Sequence, residues 1–267
     1  MSFDEIEEEI DISRYRVCMT LNTNNDSKIN KHFWKLREVS IDILQNRKFK
    51  LHERIFILGL ILDRVQKGID NGESDNIGFI IDGVLGKYCN EPIKDYINQI
   101  EFKDAVQLDL INAICNTEII DENSRENYNN LFLKFLKGIN YSDKDPNAII
   151  ESYKNGKVIY ERYFETKENV LENYFVNDIF LNVFPIRSGE KIFEEYCILI
   201  IKFALIKIFL VGIGNYYNGL NDDKVIEILY LYNRNIEHSK GYIDNILDDI
   251  IKNNNLNMDF MSILIKN

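Results

Sequence analysis

Hydrophobic positions along the 267-residue chain recur at spacings of three and four almost throughout, the period of one face of an α-helix. Leu51, Ile55, Leu58, Leu62, Val65 and Ile69 form one such stripe, with Gly59 inside it where a neighbouring helix can come close. Tyr128, Leu131, Phe132, Phe135, Leu136 and Ile139 form a second, with Gly138 as its stop. Val225, Leu229, Tyr232 and Ile236 form a third. It has Asn221 as N-cap, Asp222 and Asp223 in the first turn, and His238, Lys240 and Gly241 at the end, an order that complements the helix dipole. Tyr242, Ile243, Ile246, Leu247, Ile250 and Ile251 form a fourth. Further helices are expected at about 32–46, 78–99, 104–116, 147–164, 168–184 and 190–213. No run alternates with period two, so the expectation is an all-α fold of about ten helices.

The segment Tyr196 to Gly214 is apolar on most of its circumference, which predicts a central helix at about 190–213 with the others packed around it. It is long enough to span a membrane. However, Lys202 and Lys207 sit near its middle, and each costs about 3 kcal/mol at the centre of a spanning helix. A core helix, with no membrane partner, is therefore the reading. Only Pro92, Pro146 and Pro185 interrupt the chain, which permits long helices. Residues 1–30 read as an acidic, polar N-terminal segment, and 31–267 as one all-helical domain with a seam near 140–146.

Charge and cysteine content narrow the function classes. Forty-three acidic against 32 basic residues give a net charge of −11, which argues against nucleic acid as a partner because phosphate neutralisation needs a basic surface. Cys18, Cys89, Cys115 and Cys197 are too far apart for a zinc ribbon or a cluster run. They read as buried or half-buried thiols in a reducing compartment, with no metal bound. Asp4, Glu5, Glu7, Glu8, Glu9 and Asp11 are the opposite of a basic leader, so a cytoplasmic protein is expected. The abundance of Ile, Asn and Lys fits an AT-rich bacterial source.

Catalytic motifs are few. There is no glycine-rich nucleotide fingerprint, no P-loop, no nucleophile elbow and no HExxH. His32, His52 and His238 fit capping or surface positions; His238, in a last turn, is also retained as a site candidate. Two places carry more weight. In LENYFVNDIFLNVFP, Asn173 and Asn177 share a helical face inside an aromatic segment with Tyr174 beside them. Embedded amides need partners; bonding across to a neighbouring helix in the core is the preferred reading, and lining a binding site the alternative. In the apolar helix, Glu195 and Lys202 share a face and Lys207 lies far round from it. Ion pairing, or stem burial with the ammonium in water, would account for them. The candidate substrate-binding residues are thus Asn173, Tyr174, Asn177, Glu195 and His238, with no catalytic residue assigned.

KENVLENYFVNDIFLNVFP (167–185) followed by IFEEYCILIIKFALIKIFLVGIG (192–214) resembles the C-terminal half of the flagellin lysine-N-methylase family, the FliB-like proteins of bacteria. NYYNGLNDDKVIEILYLYNRNIEHS looks like its continuation, and ILQNRKFKLHERIFILGLIL, at 43–62, like an earlier block; the resemblance runs from about residue 35 to 250. It implies a part in protein-lysine methylation, flagellin as partner and S-adenosylmethionine as methyl donor. The family also carries a cysteine-rich N-terminal region resembling an iron–sulfur ligand set, which these four isolated cysteines do not match. The resemblance therefore implies a fragment or a shortened homologue that supplies substrate docking or pocket walls. It would be inactive alone, with any cluster held in the absent region. A non-catalytic helical module binding a protein or small ligand is the alternative.

Overall fold

The computed structural model describes residues 29–88, 93–116, 126–237 and 241–267. Among them are twelve α-helices and no strand: α1 (Phe33–Leu44), α2 (Leu51–Asp70), α3 (Ile77–Tyr88), α4 (Ile93–Gln99), α5 (Asp104–Asn116), α6 (Glu126–Gly138), α7 (Pro146–Lys167), α8 (Asn169–Leu181), α9 (Ile192–Tyr217), α10 (Asp222–Tyr232), α11 (Tyr242–Lys252) and α12 (Met258–Lys266). A π-helical turn, Asn233–Glu237, extends α10. The all-α expectation holds. Two elements differ from it: the helix expected over about 78–99 is two, α3 and α4, and α12 was not foreseen.

α9 is the centre. It buries nearly every side chain from Ile192 to Gly214, charged ones included, and α2, α5, α6, α7, α10, α11 and α12 all pack on it. It is the one described helix long and apolar enough to cross a membrane, and its apolar stretch is wholly enclosed by the other helices. Each fully buried Ile, Leu or Phe contributes about 1.5–3 kcal/mol of transfer free energy, so the ring of helices around α9 is the dominant source of stability.

The closest packing uses glycine. A side chain at Gly138 would strike the carbonyl oxygen of Gly212, and one at Gly156 would sit 2.5 Å from the Val211 carbonyl oxygen. α6 and α7 thus press against adjacent residues of α9 with backbone near backbone. Gly59 likewise receives the ring of Tyr196, as the α2 stripe suggested.

Helix ends follow the sequence signals. Asn221 accepts from the Lys224 amide at 3.0 Å, Asp145 accepts from the Asn147 amide with Pro146 opening α7, and Asn257 accepts from the Phe260 amide. A buried ionic cluster joins the α1–α2 corner to the α7–α8 joint. Arg54 is 2 % exposed. Its Nη1 donates to Glu172 at 2.7 Å and to the Leu44 carbonyl at 2.6 Å, its Nη2 to Glu168 at 2.9 Å and its Nε to the Phe49 carbonyl at 2.9 Å. Arg47 grips the other Glu172 oxygen at 2.7 Å. Hydrogen bonding from Arg47, then from Arg54, holds the Glu172 carboxyl below its ordinary range against the opposing effect of burial.

Candidate functional site

A cavity of about 770 Å³ lies between α8, the loop that follows it, α9 and the start of α11. One face of α8 forms its wall. Tyr174, Asn177, Asp178 and Leu181 fall at successive spacings of three, one and three, so they project in nearly the same direction. α9 supplies Ile198 and Lys202, four residues apart, and α11 supplies Ile243 and Asp244. Arg187 reaches in from the loop.

That loop is held firmly. Phe184 and Ile186 are buried anchors at 3 % exposure each, and the peptide between Phe184 and Pro185 is cis. Val183 has φ of +55°, a left-handed conformation that a β-branched residue adopts at a cost of about 1–3 kcal/mol. On the outer edge, Arg37 of α1 donates to the Phe180 carbonyl at 2.8 Å and lays its guanidinium 4.7 Å from the Phe180 ring and 5.4 Å from that of Phe33. It fixes the end of α8 while Phe180 stays 54 % and Leu181 79 % exposed.

At the cavity floor Lys202 donates to Asp178 at 2.5 Å. Both side chains are more than nine-tenths buried, so neither charge has bulk water to fall back on. Asn182 also donates to the same Asp178 oxygen, at 2.6 Å. Desolvating two ions costs several kcal/mol each, and only such tight, hydrogen-bonded geometry offsets it. The result is a polar floor of fixed orientation under an apolar and amide-lined mouth.

The sequence candidates are brought together only in part. Tyr174 and Asn177 line the cavity. Asn173 is exposed and lies outside the lining. The preferred core reading of the two amides is overturned: Asn173 and Asn177 both face outward, because α8 turns Phe175, Val176 and Ile179 into the core instead. Glu195 does not share an ion pair with Lys202. It is buried and accepts from Arg187 Nε at 3.3 Å and from the Ser188 hydroxyl, so it acts on the cavity by holding Arg187. His238 lies outside the described residues. Lys207 belongs to a different cavity, and among the described residues it pairs with no side-chain carboxylate. Its Nζ donates to the Ile265 and Lys266 carbonyls at 3.2 and 3.3 Å.

Sequence reasoning missed Asp178, Arg187 and Asp244. Asp178 left a signal, since it and Lys202 are opposite charges set in the two most apolar segments of the chain. Arg187 and Asp244 left none, because loop and helix meet them only in three dimensions.

Residues 37–264 match the model of one protein family, described as the FliB lysine N-methylase C-terminal domain. The chain belongs to that family. The match begins in α1 and ends in α12, so every helix that walls the cavity lies inside the FliB-type domain. No curated protein and no solved structure matched the chain.

The family's implied groups fit the described residues poorly. Among these residues there is no strand and hence no glycine-rich turn leaving one, the usual cradle for a nucleoside. Cys197 is enclosed in α9 with its thiol pushed up by burial, and Cys115 is pushed up to about 12 for the same reason. Both stay protonated, whereas a metal ligand must be a thiolate. Cys18 and Cys89 lie outside the described residues.

Proposed function

We propose that this FliB-type domain is the substrate-docking body of a bacterial, cytoplasmic protein-lysine N-methylase acting on flagellin. We further propose that residues from 31 onward form one domain, and that a lysine-bearing segment seats in the cavity between α8, α9 and α11. The observation that carries this reading is the composition of that cavity's mouth. Exposed Phe180 and Leu181 stand beside the Asn177 amide and the exposed Asp244 carboxylate, over a rigid Asp178–Lys202 floor. An apolar rim takes the stem of a lysine and its neighbours, the amide meets backbone polar groups, and Asp244 attracts the ammonium. S-adenosylmethionine as donor, and an iron–sulfur cluster in the family's cysteine-rich region, belong to this proposal through the resemblance; no described residue is assigned to either.

The test is a titration of flagellin against the full chain, followed by the same titration with Leu181→Asp, Asn177→Leu and Asp244→Asn. Leu181→Asp should abolish binding. Asn177→Leu should weaken it by about 1–3 kcal/mol, because a polar group of the partner is left unpaired. Asp244→Asn should weaken it least and remove much of the salt dependence. Full binding by all three would reject the cavity as the docking site. Normal docking by a chain whose cavity variants leave methylation by the complete enzyme unchanged would favour the non-catalytic binding module.

A further inference from the structure

A second cavity, about 380 Å³, opens on the opposite side of α9, between the start of α2, α7 and the end of α12. Its inner wall is apolar and aromatic: Tyr160, Phe164, Leu171 and Phe203, all buried. Into it projects Lys207, 6 % exposed, with its Nζ 5.8 and 5.9 Å from the Tyr160 and Phe203 ring centres. Among the described residues, no side-chain carboxylate pairs with it. Its two acceptors are main-chain carbonyls at the last turn of α12. Lys157 joins it there, donating to the Lys266 carbonyl at 2.7 Å.

Basic groups outnumber the acidic groups able to answer them. The charged or titratable groups facing the cavity are Lys50, His52 and Glu53 from the start of α2, Lys157, Glu161, Glu165 and Glu168 from α7 and its end, and Lys266 from α12; α4 adds the neutral Asn98. The inner carboxylates are already engaged. Glu53 accepts from the Lys50 amide at 2.7 Å, and Glu168 accepts from Arg54 and the Leu51 amide. Glu161 and Glu165 are exposed at the rim.

Burial, and then the Lys157 charge, lowers Lys207 well below the ordinary lysine value. A neutral amine carries two N–H bonds, and the two carbonyls accept both. Protonation adds a third N–H, for which the described residues supply no acceptor beyond those two carbonyls. Glu161, at the rim, acts on Lys207 and Lys157 through space without a hydrogen bond to either, which leaves the inner position open to an anion from outside. We propose that the cavity binds a small organic carboxylate with an apolar body. The body lies against Tyr160, Phe164 and Phe203; the carboxylate takes the third N–H of Lys207, with Lys157 and Lys266 at the rim. The volume fits a small molecule, and the aromatic wall gives no reason to bind a bare inorganic ion. This site is independent of the docking cavity.

Binding the carboxylate favours the protonated form of Lys207, so affinity rises as pH falls. His52, pushed down to about 3 by burial and the surrounding lysines, does not change protonation near neutrality.

The experiment is calorimetric titration of the full chain with phenylacetate, 4-methylpentanoate, acetate and neutral 2-phenylethanol. It is run from pH 6 to 8 in two buffers of different ionisation enthalpy. At least one of the two larger acids should bind ten-fold or more tighter than acetate, with net proton uptake and an affinity that falls as pH rises; the alcohol should not bind. Lys207→Met should abolish both binding and proton uptake with the melting temperature preserved. If that chain does not fold, Lys157→Gln should still lower affinity several-fold while keeping the proton uptake. Failure of both larger acids to bind at millimolar concentration overturns the proposal. So does equal binding of the alcohol, or undiminished binding by Lys207→Met or, where that chain does not fold, by Lys157→Gln.

Discussion

Lys202 and Lys207 stand five residues apart on one helix, both more than nine-tenths buried, yet they have opposite surroundings. Lys202 meets the Asp178 carboxylate, whereas Lys207 meets only carbonyls and ring faces. A buried amine with a counter-ion becomes a structural fixture. One without it has its proton affinity lowered by burial, and its charge is favoured by an anion that binds beside it. The two sides of α9 therefore differ in kind: a pre-set polar floor under the α8 cavity, and a chargeable amine in the α7–α12 cavity.

The sharpest way to break this contrast is Asp178→Ala. It takes the carboxylate away from the buried Lys202 ammonium and should cost about 3–5 kcal/mol in urea unfolding. The double change Asp178→Leu with Lys202→Met should recover most of that loss. If the single change costs under 1 kcal/mol, Lys202 is not held as a charge and the contrast fails. Next comes pH. His52 titrates at about 3 in the fold and near 6.5 when unfolded, so the unfolded chain binds the extra proton between those values. The stability tied to its neutral form is complete above pH 6.5 and is lost as pH falls toward 3. Between pH 6.5 and 5 the loss should be about 2 kcal/mol, and His52→Leu should flatten that slope in chemical denaturation across the range. A smaller effect is expected from Glu195→Gln, about 1 kcal/mol, read from a thermal melt, since Arg187 loses a charged acceptor but stays half in solvent. Smallest of all is Lys207→Met, expected within about 1 kcal/mol of the parent because burial already disfavours the charge on this amine and the replacement is an apolar chain of similar size.

The helical architecture was readable because burial leaves a periodic trace. α9 declared itself by being apolar all round, and Asn221 marked the start of α10 by its side-chain chemistry. The break between α3 and α4 was also signalled: a residue before proline avoids the helical region, and Pro92 directly precedes α4. α12 is only nine residues long and follows an Asn-rich stretch, so its cap at Asn257 was overshadowed by the surrounding loop composition. The site was less legible. α8 is apolar on two sides, and its period cannot say which side meets α9; hence Asn173 and Asn177 were placed inward while Phe180 and Leu181 in fact face out. The Asp178–Lys202 contact depends on how α8 crosses α9, which no spacing within either helix records. Lys207 could be seen as an odd charge in the core, but its lack of a carboxylate could not.

Gly138, Gly156 and Gly212 have a mechanical consequence. Where α6 and α7 lock onto α9 at residues 211 and 212, the Gly138 and Gly156 backbones sit directly against α9 carbonyl oxygens, so α9 works as a fixed axle. Turning it by one residue would swing Lys202 and Lys207 about 100° away from their pockets and drive new side chains into the Gly138 and Gly156 backbones. Any widening of either cavity to admit a ligand must come from the outer walls, α8 and α11 on one side and α12 on the other, moving against an axle that stays still.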